Sequence, residues 1–428
     1  MVVRSNQPKH TSRSSNADKE FKNSEVGAIP MEWQLSTIGE ISTIFGRIGY
    51  RGYTKADIVK EGEGAISLSP SNIQKGSINY KGSTYITWEK YIESPEIQLE
   101  EGDSVLVKTG STYGKTAYVD KLHCPATLNP QIVVFKQIKI DKKLFSYLIY
   151  HDVFQSQIDA TIVGGAIPTL SQRQVERFII PLPPTLTEQR AIARALSDTD
   201  ALLAALDALI AKKEAIKRAT LEELLSGERR LAIEHFSKAT LERENWIECK
   251  LIDIAEIEMG QSPSSRYYNT TQIGLPLIQG NADIRNRKSF IRNFSSVCPK
   301  ICKKGDILIS VRAPVGEVAI STHDSCLGRG VAALSAKVNK AFLYYLMIYM
   351  ERFWDKYSKG STFDSINSTE LKNLSLFIPF SELEQQAIAD ILSSMDSELT
   401  TLCARREKLA QVKAGMMEEL LTGRTRLV

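Results

Sequence analysis

Glu188-Gln189-Arg190-Ala191-Ile192-Ala193 recurs, nearly unchanged, as Glu384-Gln385-Gln386-Ala387-Ile388-Ala389, and this repeated stretch decides the fold. The displacement between the two copies is 384 − 188 = 196 residues. Glu223-Leu224-Leu225-Ser226-Gly227 recurs as Glu419-Leu420-Leu421-Thr422-Gly423 with the same displacement, 419 − 223 = 196. Because the displacement is constant, no insertion separates the two landmarks, and the chain contains an internal repeat.

Each pair of landmarks bounds one long predicted helix. Pro183 and Pro379 mark the approach, Thr187 is the predicted cap of the first helix, and Gly227 and Gly423 stand where a helix ends. A helix of about 40 residues, at about 1.5 Å per residue, is about 60 Å long.

Apolar residues in both predicted helices recur at intervals of three and four, which is typical of a coiled-coil seam. The seam consists of Ile192, Leu196, Thr199, Leu203, Leu206 and Ile210 in the first helix, and of Ile388, Leu392, Met395, Leu399 and Leu402 in the second. The first helix carries a further apolar row, Leu202, Leu209 and Ile216. This row indicates either a second partner surface or packing against the chain's own globular domains, since amphipathic stripes usually face a core.

The segments before the two helices also match each other, though more loosely. The matches join Trp33 to Trp246, Gly102-Asp103 to Gly305-Asp306, and Gly164, Thr169, Leu170 and Val175 to Gly360, Ser365, Ile366 and Leu371. We therefore predict an α/β (α+β) fold in which two mixed globular domains are separated by two long antiparallel helices that form a coiled coil, with a pseudo-two-fold internal repeat. The predicted parts are a disordered tail at 1–23, globular domains at 24–182 and 231–378, and long helices at 183–230 and 379–428.

Composition excludes some classes of protein but does not name a partner. The chain has 54 Lys and Arg against 50 Asp and Glu, so a nucleic-acid partner has to be argued from where the charges lie. Six scattered cysteines suit a reducing compartment. The polar first 22 residues do not resemble a signal peptide, and the most apolar stretch, 341–350, is shorter than the roughly 20 residues that span a bilayer. We expect a cytoplasmic protein without a membrane partner.

The order of these motifs resembles the specificity subunit of a type I restriction-modification system, over nearly the whole chain from about Ser24. The resemblance includes the entry Ile29-Pro30-Met31-Glu32-Trp33, the loop from Gly260-Gln261-Ser262-Pro263 to Asn269, and the repeated starts and ends of the two helices. It implies two target recognition domains, each reading one half of a split sequence in double-stranded DNA. The half-site centres would lie about one helical turn apart, roughly 35 Å.

The resemblance also implies the partners. The helices would dock two methyltransferase (M) subunits and, through them, the restriction and translocase (R) subunits of a complex that acts in DNA methylation and phage defence. This chain would be non-catalytic within a type I restriction endonuclease and adenine methyltransferase complex. It would bind no cofactor itself, while S-adenosylmethionine, ATP and Mg would be held by the partner subunits.

Candidate DNA-binding residues lie in loops rich in basic, aromatic and small polar side chains, which can contact phosphates or base edges. In the first domain they are Arg47, Arg51, Tyr53, Lys55, Lys108, Ser111, Thr112 and Lys115. In the second they are Gln261, Ser264, Arg266, Tyr267, Arg285, Arg287, Lys288, Ser310 and Arg312, together with Asn286 in the same charge run. The positions of the Arg47–Lys55 and Arg285–Lys288 clusters suggest equivalent parts of the repeat, although the resemblance places Gly46 to Tyr53 where the second domain has the Gln261-Ser262-Pro263 loop. A solvated surface is the alternative for each charge run.

Other sites are weaker alternatives. Lys108 to Thr116 looks superficially like a phosphate-binding loop, but Gly110 and Gly114 enclose three residues rather than four, and Ala117-Tyr118-Val119 is predicted to continue as a strand. Cys298, Cys302, His323 and Cys326 could form a zinc site, although buried cysteines with a surface histidine suit the pattern better, and we predict no metal site. Phe45 to Gly49 is a weak mimic of a cofactor loop, and Asn129-Pro130-Gln131 lacks the rest of an amino-methyltransferase motif. The rival functions are a fused DNA methyltransferase and a coiled-coil scaffold for protein assembly.

Overall fold

The computed structural model describes residues 21–161, 169–231, 246–354 and 365–427, with the side chain of residue 50 excluded. Two compact units are present, the first formed by residues up to Ala205 together with those from Arg406 onward, the second by Leu206–Arg405. The predicted tail up to residue 20, Gly164 and Gly360 lie outside the described residues. Phe21–Asn23, which the sequence assigned to the tail, form part of a strand, so the tail prediction is wrong for these three residues.

The first globular domain is built from fourteen short strands and five short helices within the described residues. They are β1 (Phe21–Ser24), β2 (Gly27–Pro30), β3 (Gln34–Thr37), α1 (Ile38–Ile41), β4 (Thr43–Gly46), β5 (Ile58–Val59), β6 (Ala65–Leu68), β7 (Ile73–Gln74), β8 (Ser77–Ile78), β9 (Thr84–Ile86), α2 (Trp88–Ile92), β10 (Ser104–Val107), β11 (Thr116–Tyr118), β12 (Ala126–Leu128), β13 (Ile132–Lys136), α3 (Lys142–Tyr150), α4 (Asp152–Asp159), α5 (Gln172–Glu176) and β14 (Ile179–Leu182). The long helix α6 (Leu186–Leu225) follows.

The second globular domain repeats this order. Its described elements are β15 (Trp246–Lys250), α7 (Leu251–Ile254), β16 (Ala255–Met259), β17 (Tyr268–Asn269), β18 (Leu275–Ile278), β19 (Ile284–Arg285), β20 (Lys288–Ser289), β21 (Asn293–Ser295), β22 (Ile301–Cys302), β23 (Ile307–Ser310), β24 (Val318–Ile320), β25 (Ser325–Leu327), β26 (Val331–Ala336), α8 (Lys340–Met350), α9 (Ser368–Lys372) and β27 (Ser375–Pro379). The long helix α10 (Glu382–Leu421) ends the repeat.

The sheets of the two units share their strand order. The first unit has the orders β11-β10-β13-β4 and β12-β6-β9-β5. The second has β24-β23-β26-β16, extended by β20 and β19, and β25-β18-β21-β17, extended by β22. One pair in each second sheet is parallel, β6 with β12 and β18 with β25. A two-stranded ladder, β3 with β14 or β15 with β27, leads in each unit to a long helix.

Short motifs in which a carboxylate accepts a hydrogen bond from a backbone N–H also match between the two globular domains. Glu40 in α1 accepts a hydrogen bond from the backbone of Thr37 (2.8 Å), and Asp253 in α7 accepts one from Lys250 (2.8 Å). The Gly-Asp pairs form matching turns, because Asp103 accepts from the Glu100 N–H (2.9 Å) and Asp306 from the Lys303 N–H (2.8 Å). The predicted correspondence of these segments is confirmed.

Both long helices contain 40 residues, as the spacing of the landmarks predicted. The predicted cap is wrong by two positions, since the hydroxyl that accepts the Glu188 N–H (3.2 Å) belongs to Thr185 and not to Thr187. At the far ends, Gly227 and Gly423 have φ of 78° and 75°, a left-handed conformation that favours glycine after a helix. The predicted seam residues are buried or half-buried within their respective units.

Candidate nucleic-acid interface

The loop after β4 contains the first group of predicted DNA-binding residues, and the structure corrects one of them. Arg47 is 5% exposed, and its guanidinium donates to the Leu128 carbonyl (2.9 Å), the Arg51 carbonyl (3.1 Å) and the Thr127 hydroxyl (3.2 Å). Burial lowers the pKa of Arg47. Because its donors satisfy buried acceptors, Arg47 is a structural residue, and its prediction as a DNA contact is wrong.

The other predicted residues of this loop remain accessible to different degrees. Arg51 is half-buried and pairs with Glu96 (3.3 Å). The hydroxyl of half-buried Tyr53 accepts a hydrogen bond from Ser67 (3.0 Å), and Lys55 is exposed. Lys55 is therefore the most available cation of the loop.

The counterpart of this loop in the second unit is the segment after β16, which contains the predicted Gln261-Ser262-Pro263 loop, and not the Arg285–Lys288 cluster. Gln261, Ser264 and Arg266 are exposed there. Arg266 lies over the ring of Tyr267, 4.7 Å from its centre, and donates to its hydroxyl (2.7 Å). The predicted pairing of the two basic clusters is wrong, because the strand order makes β4 equivalent to β16.

Arg285–Lys288 instead forms the tip of the β19–β20 hairpin, in which Asn286 and Arg287 have φ of 50° and 61°. Two consecutive residues with positive φ form the tight turn that suits the twist of a hairpin. The first unit has the same turn between β7 and β8, at Lys75 and Gly76, with φ of 46° and 81°. Exposed Lys75 was not predicted from the sequence, because its neighbours are neutral and form no charge run.

The cations of the second hairpin are partly used within the domain. Arg285 lies over the ring of Phe290, 3.8 Å from its centre. Arg287 binds both oxygens of Glu351, the Nη2–Oε2 distance being 2.8 Å, and this ion pair raises the pKa of Arg287. Lys288 is exposed and its backbone pairs with β24. Glu351 thus largely neutralises the charge of Arg287, whereas Lys75, at the tip of the first hairpin, is exposed.

The connection from β10 to β11 confirms the predicted hairpin rather than a phosphate-binding loop. Lys108 and Thr112 are half-buried, and Ser111 and Lys115 are exposed. In the second unit Ser310 is fully buried, where its hydroxyl donates to the Pro314 carbonyl (2.8 Å) and accepts from the Glu317 N–H (2.8 Å). Ser310 holds its own loop together, so its prediction as a DNA contact is wrong, whereas Arg312 is exposed.

Each hairpin tip and the neighbouring loop enclose a small open cavity. In the first unit the cavity measures about 350 Å³ and is lined by Lys75, Lys115, Tyr113 and Tyr150 among others. In the second it measures about 460 Å³ and is lined by Arg287, Glu317 and Glu351 among others. Among the described lining residues, the first cavity has two lysines and no carboxylate, whereas the second has charges of both signs.

A third loop at this edge was missed by sequence analysis. The turn before β13 presents exposed Gln131, and the turn before β26 presents exposed Arg329. The turns join the other loops directly, because the Lys108 N–H donates to the Gln131 carbonyl (2.8 Å) and the Val311 N–H donates to the Gly330 carbonyl (2.9 Å). Short loops without a charge run give no signal in the sequence, and only the fold places them here.

The repeated Glu-Gln motif forms the contacts that hold the start of each long helix. Glu188 is 1% exposed and binds both Nε and Nη2 of Arg426, from the chain segment after α10 (Nη2–Oε2 2.9 Å). Glu384 binds Arg230, from the segment after α6, in the same way (2.7 and 2.8 Å). We call these two bidentate pairs the helix-end clusters.

The glutamines attach the helix starts to the globular domains. Gln189 donates to the Pro183 carbonyl (3.0 Å) and accepts from the Asp141 N–H (3.0 Å). Gln385 donates to the Pro379 carbonyl (3.0 Å) and accepts from the Asn339 N–H (3.3 Å). The repeated proline, glutamate and glutamine therefore fix the same junction in each unit.

A second matched set lies about three turns further along each helix, 12 residues after the glutamate (200 − 188 and 396 − 384). Tyr147 donates to Asp200 (2.7 Å), which also pairs with Lys413 (2.5 Å). Tyr345 donates to Asp396 (2.7 Å), which pairs with Lys217. Burial, and then the hydrogen bond to the carboxylate, raise the pKa of Tyr147. Each unit thus contains the start of one long helix in contact with the end of the other.

The extra apolar row of the first helix is not covered by the described residues. Leu202, Leu209 and Ile216 are 44%, 39% and 42% exposed. These exposed fractions show that, within the described part of the chain, the globular domains do not bury the row completely. Exposed apolar side chains at regular spacing on a helix are typical of a partner surface.

Within the described ranges, no group of three or more His, Cys, Asp or Glu side chains is arranged to hold a metal ion. Cys302 and Cys326 are buried, Cys298 is half-buried and His323 is exposed, which agrees with the alternative of core cysteines and a surface histidine. Burial raises the pKa of Cys326 to about 12. No helix in the described ranges is both long enough and apolar enough to span a bilayer.

Comparison with known proteins agrees with the repeat. The family model for the type I restriction modification DNA specificity domain matches twice, at residues 30–218 and 243–413. Two curated proteins of Methanocaldococcus jannaschii are similar along their length. The putative type I restriction enzyme MjaX specificity subunit is 29% identical, and the MjaVIII specificity subunit is 25% identical, each alignment covering 96% of this chain and 97% of the relative.

Solved structures share the fold. A type I restriction-modification S subunit from M. genitalium superimposes with a TM-score of 0.57 at 17% identity, covering 91% of this chain and 96% of that one. A chain from a study of complex assembly and conformational transition of the type I R-M system gives 0.56 at 22% identity, covering 92% and 98%. With both family matches lying over the repeated domains and helices, the chain belongs to the type I restriction-modification specificity subunits and is a DNA specificity subunit.

Proposed function

We propose that the two globular domains are target recognition domains, each reading one half of a bipartite sequence in double-stranded DNA. The observation that carries this proposal is the contrast within the repeat. The helix-end clusters are matched atom for atom, whereas the loops after β4 and β16, the hairpin tips and the following loops carry different side chains. Matching helix-end clusters combined with loops of different composition suit a DNA target whose two halves differ in sequence.

The two long helices act in this proposal as an antiparallel coiled coil that sets the distance between the half-sites. The ion pairs of Lys413 with Asp200 and of Lys217 with Asp396 support this pairing within each unit. Dimeric DNA-binding proteins place their half-sites roughly 35 Å apart, one turn of the duplex, and a pseudo-two-fold arrangement of the two domains would serve the same geometry.

The chain directs partner enzymes and is itself non-catalytic, acting in the cytoplasm. Two methyltransferase subunits dock on the helices, the exposed row Leu202, Leu209 and Ile216 contributing to their binding, and restriction subunits join through them. S-adenosylmethionine, ATP and Mg are bound by those partners. Phosphate contacts from lysines and arginines provide affinity that falls with salt, while a few base contacts provide selectivity.

The test is to express the chain with its cognate methyltransferase and to map the modified sites in genomic DNA. We expect one motif in two specified parts, separated by a fixed unspecified gap. Replacing residues 24–182 with those of a relative should change one half of the motif and leave the other half and the gap unchanged. A single uninterrupted motif, or a change in both halves, would contradict the proposal. Absence of any motif would favour a protein scaffold.

A further inference from the structure

The turns before β13 and β26 share one backbone frame in the two units. The Asn129 N–H donates to the Leu68 carbonyl (2.9 Å), and the Gly328 N–H donates to the Ile278 carbonyl (2.7 Å). Each turn closes with a 3.2 Å hydrogen bond, from Ile132 to Asn129 and from Val331 to Gly328. The central residues, however, are Pro130-Gln131 in the first unit and Arg329-Gly330 in the second. The backbone hydrogen bonds of the turn are therefore the same in both units, whereas the exposed side chain differs.

The backbone of Arg329 is held firmly from both sides. Its N–H donates to the Ser262 hydroxyl (3.1 Å), in the loop that follows β16. A Cβ atom on Gly330 would lie 2.3 Å from the Gln279 carbonyl oxygen, and one on Gly328 would lie 2.8 Å from the Gln279 Cα. These close approaches require glycine on each side of Arg329, so the turn is fixed while the arginine side chain projects from it.

The guanidinium of Arg329 is uncommitted among the described residues, where no ion pair or side-chain hydrogen bond involves it. Other arginines of this domain are engaged, Arg287 with Glu351, Arg292 with Asp283 and Arg266 with Tyr267. Arg287 and Arg292 are neutralised by carboxylates, whereas among the described residues none faces Arg329, so this guanidinium is available for an external acceptor.

The turn lies at the sheet edge away from the junction with the long helix. In the first unit, β13 starts at the turn and runs to Lys136, and Asp141, shortly beyond it, bonds Gln189 at the helix start. In the second unit, β26 runs in the same way from the turn toward Asn339, which bonds Gln385. The exposed side chain is therefore placed among the loops after β4 or β16 and after β10 or β23.

Resting on the proposed function, we propose that these two turns read base edges, Arg329 recognising a guanine in the half-site of the second unit and Gln131 an adenine in that of the first. A guanidinium fork matches the O6 and N7 acceptors of guanine, and a carboxamide matches N6 and N7 of adenine. The Gln131 Oε1 accepts from the Asn129 Nδ2 (3.3 Å), which leaves the second lone pair of Oε1 and the Nε2 donors for a base. Base reading needs a fork placed accurately, which a fixed backbone provides. A phosphate contact needs only a nearby charge, which lysines on the other loops supply.

The experiment compares Arg329→Ala, Arg329→Gln and Gln131→Ala in the full chain, each co-expressed with the cognate methyltransferase, by mapping modified sites in a randomised double-stranded DNA library. For Arg329→Ala we expect the preference for one guanine to fall by about 5- to 100-fold, in the half that does not change when residues 24–182 are exchanged. Arg329→Gln should shift the preference at that position toward adenine. Gln131→Ala should relax one position in the other half only.

The half of the motif that each variant leaves unchanged reports that the chain is folded and assembled. Equal loss of modification at all sites by Arg329→Ala, an unchanged motif, or a change in the other half would overturn the inference, while the bipartite motif of the unaltered chain would still support the proposed function. If the unaltered chain itself yields no bipartite motif, the proposed function fails, and the inference fails with it.

Discussion

The two units of the chain agree at the helix-end clusters and differ at the loop edge. Glu188 with Arg426 and Glu384 with Arg230 form the same bidentate geometry, 196 residues apart (384 − 188 and 426 − 230). By contrast, the cavity beside the hairpin tip is lined by Lys75 and Lys115 in the first unit and by Arg287, Glu317 and Glu351 in the second. The repeat therefore retains the residues that join the long helices to the globular domains, whereas the exposed residues of the loops differ between the two units.

The largest expected effect comes from removing a carboxylate of the helix-end clusters. Glu188→Ala and Glu384→Ala should each lower the free energy of unfolding of their own unit by roughly 2–4 kcal/mol, because a buried bidentate pair loses its acceptor. Denaturant unfolding, followed by the fluorescence of Trp33 and Trp246 in single-tryptophan variants, would measure the loss unit by unit. Effects that differ between the two substitutions by more than about 1.4 kcal/mol, tenfold in equilibrium constant, would show that the clusters are not equivalent.

The second effect concerns the exposed apolar row, which the repeat reproduces at only one of three positions. Leu202, Leu209 and Ile216 lie on α6, and the positions 196 residues later are Glu398, Arg405 and exposed Val412. We expect Leu209→Glu to weaken the binding of one methyltransferase subunit by about tenfold, since a charge would be placed in an apolar contact worth roughly 1–3 kcal/mol. Native mass spectrometry of the assembled complex, with Arg405→Glu as the matched control, would count the bound subunits. Equal loss of both subunits would contradict an asymmetric contribution of this row.

The third effect tests the matched tyrosines. Tyr147→Phe and Tyr345→Phe each remove a hydrogen bond of 2.7 Å to a carboxylate, on Asp200 or Asp396. A hydrogen bond to a charged group contributes about 1.5–3 kcal/mol, and the partial exposure of both aspartates places the expected loss at the lower end, about 1–1.5 kcal/mol. Thermal unfolding of each variant would measure it. Tyr85→Phe removes a surface hydrogen bond to exposed Glu61 and should have little effect, which makes it the control.

The repeated sequence was sufficient to predict the long helices and their junctions with the globular domains. Helix length, helix ends and junctions depend on local signals, and each signal occurs twice in the chain. The glycine stops and the Glu-Gln starts could be identified for this reason. The loop edge was harder to predict. Arg47 and Ser310 have the residue types of a DNA contact, yet buried carbonyls and a backbone N–H occupy their polar atoms. Arg329 stands between two glycines without a basic neighbour, and only the three-dimensional arrangement of the strands shows its exposure.

The equivalence of loops was predicted only in part from the sequence, which matched Gly46 to Tyr53 with the Gln261-Ser262-Pro263 loop but also paired two basic clusters that are not equivalent. Arg47–Lys55 and Arg285–Lys288 look alike in composition, but they occupy different places in the strand order. The hairpin equivalent to Arg285–Lys288 contains a single lysine, Lys75, and its turn is identified by two consecutive positive φ angles rather than by charge. Backbone conformation is retained here where side-chain chemistry has diverged.

The smallest expected effect separates the two cavities by their response to salt. Lys75→Ala or Lys115→Ala should each reduce the slope of log affinity for DNA against log salt by about 0.9, the value for one lost phosphate contact. Arg287→Ala should reduce the slope by less than half as much, because Glu351 already neutralises that guanidinium. The measurement is a titration of the assembled complex with its target duplex at several salt concentrations. Glu351→Gln sharpens the comparison, since it frees Arg287 for a phosphate contact. The slope of log affinity against log salt should therefore become steeper. An equal slope change for Lys75→Ala and Arg287→Ala would show that the internal ion pair opens when DNA binds, so that the charge difference between the two cavities does not persist in the complex.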